Sequence, residues 1–399
     1  MMRFSKSTAL TAVYFLLLNS TPLAFASPGK GGILVEPDKK AGAVIRTPAT
    51  NSLKLHHGTA SGGHNDHGHI ASSHAPIGVM GDHHHKKGEW MVSYRYMHME
   101  MDGSRDGTNS LSETDIATSI PNRFFGNPMQ PSTLRVVPTQ MSMDMHMAGV
   151  MYGLTDNITL IGMTSYINKS MDHVTFQGGM GTTQLGNFTT QSEGFGDTSL
   201  GALVNLMDTE AHKFHVNASI SLPTGSITQT GQILTPTGGT PDVRLPYAMQ
   251  LGSGTYDLKP GITYLGRANK ISWGAQALGT IRLGENSENY TLGDRAEATT
   301  WLAYDWSGNF SGSARVKLAS QGSIDGIDAL ITGPVQTADP DNYGGETAEL
   351  LLGINYLFTK GALAKNRLAI EAGMPLFRDL NGPQLETDWN LTLGWQRAF

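Results

Sequence analysis

The sequence predicts an all-β fold, a transmembrane, antiparallel, up-and-down β-barrel of about twelve strands. Three observations support this. From residue 88 onward, segments with alternating apolar residues follow one another, as in strands that cross a bilayer. Tight turns and long polar connections alternate between these segments. The chain also ends in an aromatic residue, Phe399, after a last alternating segment.

The alternating segments are long enough to cross a membrane, since about ten residues suffice for a tilted strand. In one of them, Ile271, Trp273 and Ala275 alternate with smaller or polar residues. The predicted strands are 88–102, 135–154, 157–171, 195–207, 212–223, 254–266, 270–284, 293–307, 309–320, 346–358, 366–376 and 387–399.

The connections indicate which end of the barrel faces which compartment. Short turns such as Thr155-Asp156 and Gly308 are expected on the periplasmic side, and long loops on the extracellular side. The predicted long loops are 103–134, 172–194, 224–253, 285–292, 321–345 and 377–386.

The two ends of the chain indicate export and insertion into the outer membrane. Residues 1–26 combine Arg3 and Lys6, an apolar run and the site Ala24-Phe25-Ala26, a pattern typical of a secretory signal peptide. The C-terminal segment TDWNLTLGWQRAF resembles the signal that the barrel-insertion machinery recognises in bacterial outer-membrane barrels, although Arg397 departs from it. We therefore expect the mature chain in the outer membrane, in contact with lipid and lipopolysaccharide.

The composition argues against nucleic-acid-binding, disulfide-rich and helical membrane proteins. A net charge of −6 argues against a nucleic-acid partner, and the absence of cysteine leaves no disulfide framework. Outside residues 1–26 no run of eighteen apolar residues could form a transmembrane helix. A large periplasmic β-sandwich is the alternative fold. The sequence carries no indication of oligomeric state.

Methionine alternates with polar residues in MHMEMDG (97–103) and MSMDMHM (141–147). In the first strand Trp90, Val92 and Tyr94 must face lipid, because Arg95 cannot cheaply face the bilayer. The same phase places Arg95 in the lumen. It also directs seven methionines inward near the outer mouth: Met97, Met99, Met101, Met141, Met143, Met145 and Met147.

Two interpretations of these methionines remain open. Thioethers are soft ligands suited to Cu(I) or Ag(I), and several on one face could bind such an ion. Alternatively, methionine is an adaptable filler that packs against a loop folded into the mouth. The polar residues between them, including His98, Glu100, Asp144 and His146, would lie above the hydrocarbon, facing water or lipopolysaccharide phosphates.

Residues 27–87 precede the barrel (88–399) and contain nine of the fourteen histidines. They have too little apolar content for a core, which predicts a flexible periplasmic lead or a plug threaded into the lumen. Clustered imidazoles bind Zn, Cu or Ni. The candidate ligands are His64, His67, His69, His83, His84 and His85.

Three motifs resemble one outer-membrane transporter family, which is named for the MetA pathway of phenol degradation. They are SLPTGS (221–226), LGSGTYDLKPGITY (251–264) and APIGVMGDHHHKKGEWMVSYRY (75–96). The resemblance runs from about residue 75 to the C-terminus. It implies uptake of a hydrocarbon or another small molecule, without naming the solute.

The expected function is a channel for a small neutral or weakly polar solute, such as an aromatic compound, that requires no cofactor. A soft-metal barrel is the alternative. An enzyme of lipase or protease type is the third possibility. His215 with Ser219, and the groups Asp144, His146, Asp172 and His173, are its only candidate residues. No G-x-S-x-G, H-E-x-x-H or phosphate-binding loop is present, so we do not expect an enzyme.

Overall fold

The computed structural model describes residues 70–127 and 129–399. The predicted signal peptide and most of the histidine-rich lead, with His64, His67 and His69, lie outside the described residues. No helix in the described part of the chain is long and apolar enough to cross a membrane.

Seventeen strands and one α-helix make up most of the described chain. The helix α1 spans Glu113–Ser119 and begins with a capping box between Ser112 and Asp115. The strands are β1 (Trp90–Gly107), β2 (Asn109–Leu111), β3 (Val136–Gly153), β4 (Ile158–Phe176), β5 (Gln184–Phe195), β6 (Thr198–Asp208), β7 (His212–Leu222), β8 (Thr230–Gln232), β9 (Asp242–Arg244), β10 (Tyr256–Ala268), β11 (Ile271–Leu283), β12 (Tyr290–Thr291), β13 (Arg295–Asp305), β14 (Phe310–Gln321), β15 (Asp325–Gly326), β16 (Gly345–Leu357) and β17 (Asn366–Ala398).

Eleven of these strands form a closed antiparallel ring, in the order β1-β3-β4-β6-β7-β10-β11-β13-β14-β16-β17, with β17 returning to β1. Each strand of the ring is antiparallel to its neighbours, and counting from β1 to β16 in this order shows that these two strands run in opposite directions. Nevertheless, β17 is antiparallel to both of them. The two halves of β17 must therefore run in opposite directions, as a hairpin. Its arms are joined by Arg367 to Gln396 (2.6 Å) and Arg378 to Glu386 (2.8 Å). The chain thus crosses the barrel twelve times, and the predicted fold class is confirmed.

The outer surface of the barrel is apolar, as a bilayer requires. On β1, Trp90 and Tyr94 are 47% and 43% exposed, whereas Met91 and Arg95 are buried. On β16, Leu352, Ile354 and Tyr356 are exposed in the same alternating way. The alternation predicted from Arg95 is therefore the alternation observed.

The extracellular side differs from the prediction most in two places. Residues 172–194 and 377–386, predicted as loops, are largely strand: β4 and β5 form a hairpin that rises above β6, and β17 continues through its turn. Polar residues lie on both faces of β5, so no apolar alternation marks it as a strand. Above these strands the extracellular loops share a small apolar core around Tyr247, Tyr290 and Ile331.

Residues 70–88 lie inside the barrel. Their backbone carbonyls accept hydrogen bonds from Arg95 on β1 (3.0 Å), His215 on β7 (2.8 Å) and Gln276 on β11 (2.9 Å), and Gly78 N donates to Glu371 on β17 (3.0 Å). Because these partners come from all sides of the ring, the segment occupies the lumen.

The same segment enters and leaves at the periplasmic end. Ala71 N donates to Gly308 O in one short turn (2.7 Å), and Gly88 N donates to Gly153 O beside another (2.8 Å). The segment is therefore a U-shaped plug, which we define as residues 70–88.

Gly153 should be required for anchoring the plug. A Cβ atom at Gly153 would lie 1.9 Å from the carbonyl oxygen of Lys86, a backbone atom. We expect Gly153→Ala to destabilise the barrel by about 1–3 kcal/mol, since overpacking shifts the backbone. Gly162→Ala is the control, because its Cβ would make only ordinary contacts at 3.4 Å or more. Urea unfolding followed by tryptophan fluorescence measures both. Equal stabilities would contradict this account of the anchor.

Candidate functional site

A cavity of about 650 Å³ lies within the barrel, between the plug and the extracellular loops. Gly78, Val79 and Met80 of the plug form its floor. Ala248, from the loop between β7 and β10, and Tyr343, from the loop between β14 and β16, contribute to its roof. The Tyr343 hydroxyl contacts both loops, since it accepts from Ala248 N (3.1 Å) and donates to Thr337 O (2.6 Å). The cavity is therefore covered on both sides.

One wall of the cavity is formed by thioethers, and we call it the methionine wall. Across β1 and β3, Met97 pairs with Met145, Met99 with Met143 and Met101 with Met141, and Met141 also lies opposite Met171 of β4. These pairs place same-face side chains directly opposite each other. The wall consists of Met97, Met99, Met101, Met141, Met143 and Met171.

Met145 and Met147, predicted with this set, lie closer to the periplasm on the same face of β3. Met147 is buried opposite Arg95, and neither residue lines the cavity. Conversely, Met171 and Met80 line it and were not predicted as site residues. Met171 could have been found, because it stands on the neighbouring strand at the level of Met141. Met80 could not, because it belongs to the plug.

The opposite wall, from β13 to β17, carries ion pairs, and we call it the charged wall. Apart from Arg95, the sequence predicted few aligned charges in the lumen, and it did not identify these pairs. Lys317 Nζ lies 2.8 Å from Glu349, and Arg295 lies 2.8 Å from Glu297. Each base lies close to an acid, so this wall is polar but almost neutral. Adjacent strands bring most partners together over large sequence separations, and a single sequence does not reveal that pairing.

Two further cations connect the barrel to the structures that close the cavity. Lys169 of β4 donates to the carbonyl oxygens of Ala248 (2.8 Å) and Gln250 (2.6 Å) and so ties the loop down over the cavity. Arg95 is buried in the lumen and donates to Ile77 O of the plug. Both act as structural donors here.

Of the three consecutive plug histidines, His84 points away from His83 and His85, whose ring centroids lie 4.9 Å apart. His83 Nδ1 lies 2.9 Å from Asp82, whereas His84 Nε2 lies 3.1 Å from Asp208 at the end of β6. Burial lowers the pKa of His84 to about 4 and that of His85 to about 3, so both rings are neutral near pH 7. The structure therefore does not bring His83, His84 and His85 together as one ligand set. His83 instead meets His74.

The residues considered for an enzyme make other contacts. His215 binds the carbonyl of Gly81 in the plug (2.8 Å). On the outer surface, Asp144 accepts from Tyr96 (2.5 Å) and lies 2.8 Å from His98 Nδ1. His173 stacks on Phe188. These contacts join strands to one another or to the plug and do not pair a nucleophile with a base.

The comparisons with known proteins concern the fold. No protein-family model and no curated protein matches the chain. Among solved structures, it is similar to an outer-membrane channel from Pseudomonas putida F1, with 17% identity and a TM-score of 0.53 over 80% of this chain and 99% of the other. It also matches the toluene transporter TbuX of Ralstonia pickettii, with 12% identity and a TM-score of 0.42 over 79% and 90%. The first likeness supports the outer-membrane barrel fold.

Proposed function

We propose that this chain is an outer-membrane channel for a small neutral or weakly polar solute, with an aromatic compound as the expected substrate class. The observation that carries the proposal is the cavity between the methionine wall and the charged wall. Its volume, about 650 Å³, lies within the range typical of small-molecule sites. The barrel encloses the cavity, which lies on the path that a permeating solute would follow.

The chemistry of the two walls favours a neutral solute. Methionine side chains are apolar, polarizable and adaptable, and thioethers interact favourably with aromatic rings. On the other wall, the ion pairs cancel most of their field while leaving hydrogen-bonding atoms for a hydroxyl group. A phenol-like solute could therefore place its ring on one wall and its polar group on the other. The resemblance to the family of the MetA pathway of phenol degradation agrees with this class.

The exposed surface of the barrel is suited to the surroundings that we propose, which are the outer membrane, its lipopolysaccharide and the insertion machinery. Trp90, Tyr304 and Tyr356 lie near the periplasmic turns and Tyr166 and Trp389 near the outer rim, as in the aromatic girdles of outer-membrane barrels. The polar side chains above the outer girdle are suited to lipopolysaccharide, and Phe399 to recognition by the insertion machinery. Export by residues 1–26 and insertion are part of the proposal.

Substitutions in the methionine wall test the solute. We expect Met99→Leu/Met143→Leu to retain uptake, because leucine keeps the wall apolar at similar volume. Met99→Lys/Met143→Lys should reduce uptake by about tenfold or more, since each 1.4 kcal/mol of lost affinity is tenfold. The measurement is uptake of ¹⁴C-labelled phenol and toluene by cells that depend on this chain. Equal uptake with leucine and lysine would contradict the proposal.

A soft-metal site is the second candidate, favoured by the convergence of six thioethers on one wall. The leucine variant also tests this possibility, because leucine has no donor atom. If the leucine variant loses both Ag(I) binding, measured by titration calorimetry, and solute uptake, the chain would be interpreted as a metal-handling barrel and no longer as a solute channel. Retained uptake in that variant would favour the solute.

A further inference from the structure

The plug holds a cluster of potential metal ligands that the sequence analysis did not predict as a set. His74, Asp82 and His83 each offer one ligand atom, and these atoms all lie within 4.8 Å of one another. The His85 ring lies beside the cluster, with its centroid 4.9 Å from that of His83. Two imidazoles and one carboxylate with an adjacent third imidazole form a donor set suited to zinc.

Unused donor atoms provide a second, independent observation. His74 Nδ1 and His85 Nε2 are both buried and have no hydrogen-bond partner. Buried polar nitrogen atoms normally find partners, because leaving one unpaired costs free energy. An imidazole nitrogen atom that makes no hydrogen bond is free to bind a metal ion.

The charges around the cluster permit a cation. Asp82 is buried and provides a negative charge at its centre. The nearby Arg367 is already bound to Gln396 (2.6 Å), Asn355 (2.5 Å) and Ala75 O (2.5 Å) and does not form a salt bridge with Asp82. A tetrahedral ion holds its ligand atoms about 3.4 Å apart, so the half-buried His74 and His83 rings would need to move inward by about 1 Å.

The position of the cluster indicates what a bound ion would do to the plug. His74 lies where the U-shaped plug begins to rise, and Asp82 and His83 lie where it comes back down. The residues between them include Gly78, Val79 and Met80, the floor of the cavity. An ion bound at the cluster would therefore join the two arms of the U below the floor. Cross-linking the ends of a loop disfavours its open conformations.

We propose that His74, Asp82 and His83, with His85 beside them, bind a Zn²⁺ ion that locks the plug in the lumen. Metal binding itself is independent of what the channel carries. The consequence, that zinc closes the path to the periplasm, rests on the proposed channel function.

A single cysteine in the floor tests the lock without any transport measurement. The chain has no cysteine, so Val79→Cys introduces a unique thiol that a charged methanethiosulfonate reagent can label when the plug opens. In the full-length refolded protein, Zn²⁺ at a hundred times its dissociation constant should slow labelling about 100-fold, because it binds only the closed form. EDTA should restore the original rate.

Two variants of the Val79→Cys protein identify the ligands. His74→Ala/His83→Ala should lose the effect of zinc on labelling and one tightly bound zinc per chain by elemental analysis. His56→Ala/His57→Ala removes as many imidazoles from residues 27–69 and should keep both. Folding is checked by heat-modifiable gel migration, and His74→Gln/His83→Gln replaces the alanine variant if that one does not fold.

The outcomes separate the two proposals. An unchanged labelling rate in zinc, or slowing that persists without His74 and His83, would overturn the lock. Zinc-dependent labelling in a protein that shows no solute uptake would instead support the lock and contradict the proposed channel function.

Discussion

Removing residues 27–87 should convert a closed barrel into an open one. In planar bilayers, the refolded full-length mature protein is expected to show little or no stepwise conductance, whereas the truncated protein should show frequent, long-lived open steps. The reason is geometric. The plug occupies the lumen from the periplasmic end, and its residues Gly78, Val79 and Met80 form the floor of the cavity.

The control for this truncation is removal of residues 27–66 alone. It deletes most of the lead and three of its histidines but keeps the whole plug. We expect its conductance to match that of the full-length protein. Open steps of the same size from all three proteins would show that the plug does not close the lumen.

Glu371→Gln is expected to produce the largest loss of stability. The Glu371 carboxylate forms two hydrogen bonds with Arg315, both 2.8 Å, and the two side chains are only 1% and 6% exposed. It also accepts from Gly78 N in the plug. Removing one partner of a buried pair leaves an uncompensated charge, which costs about 3–5 kcal/mol. Urea unfolding in detergent micelles measures the change.

A second ion pair of the same barrel provides the matched control. Arg295 and Glu297 lie 2.8 Å apart but are 34% and 32% exposed. Glu297→Gln should therefore cost at most about 1 kcal/mol, as expected for solvated pairs. Arg315→Met/Glu371→Gln removes both buried charges and should recover part of the lost stability. A Glu371→Gln protein as stable as Glu297→Gln would contradict the role assigned to the buried pair.

The sequence predicted the barrel well because a bilayer imposes a simple rule on each strand. One arginine, Arg95, fixed which face of β1 turns inward, and the alternation of short turns and long loops fixed the direction of each strand. The hairpin of β4 and β5 was not predicted, because it rises beyond the membrane, where the rule does not apply and neither face has to be apolar.

The site was predictable only where its residues share a strand. Alternation alone located Met97, Met99 and Met101 on one face of β1. The pairing of Lys317 with Glu349, and of Arg315 with Glu371, depends on which strands are neighbours. The cluster of His74, Asp82 and His83 depends on a U-turn that brings His74 back to the other two residues, and spacing along the sequence does not reveal that turn.

The most direct test of the central claim is a crystal structure of the protein soaked with 4-bromophenol, in which bromine is located by its anomalous scattering. The account predicts a bromine peak inside the barrel, between Met99 and Met143 on one wall and Lys317 and Glu349 on the other. At saturating ligand, an empty cavity, or bromine only on the outer surface of the barrel, would contradict it.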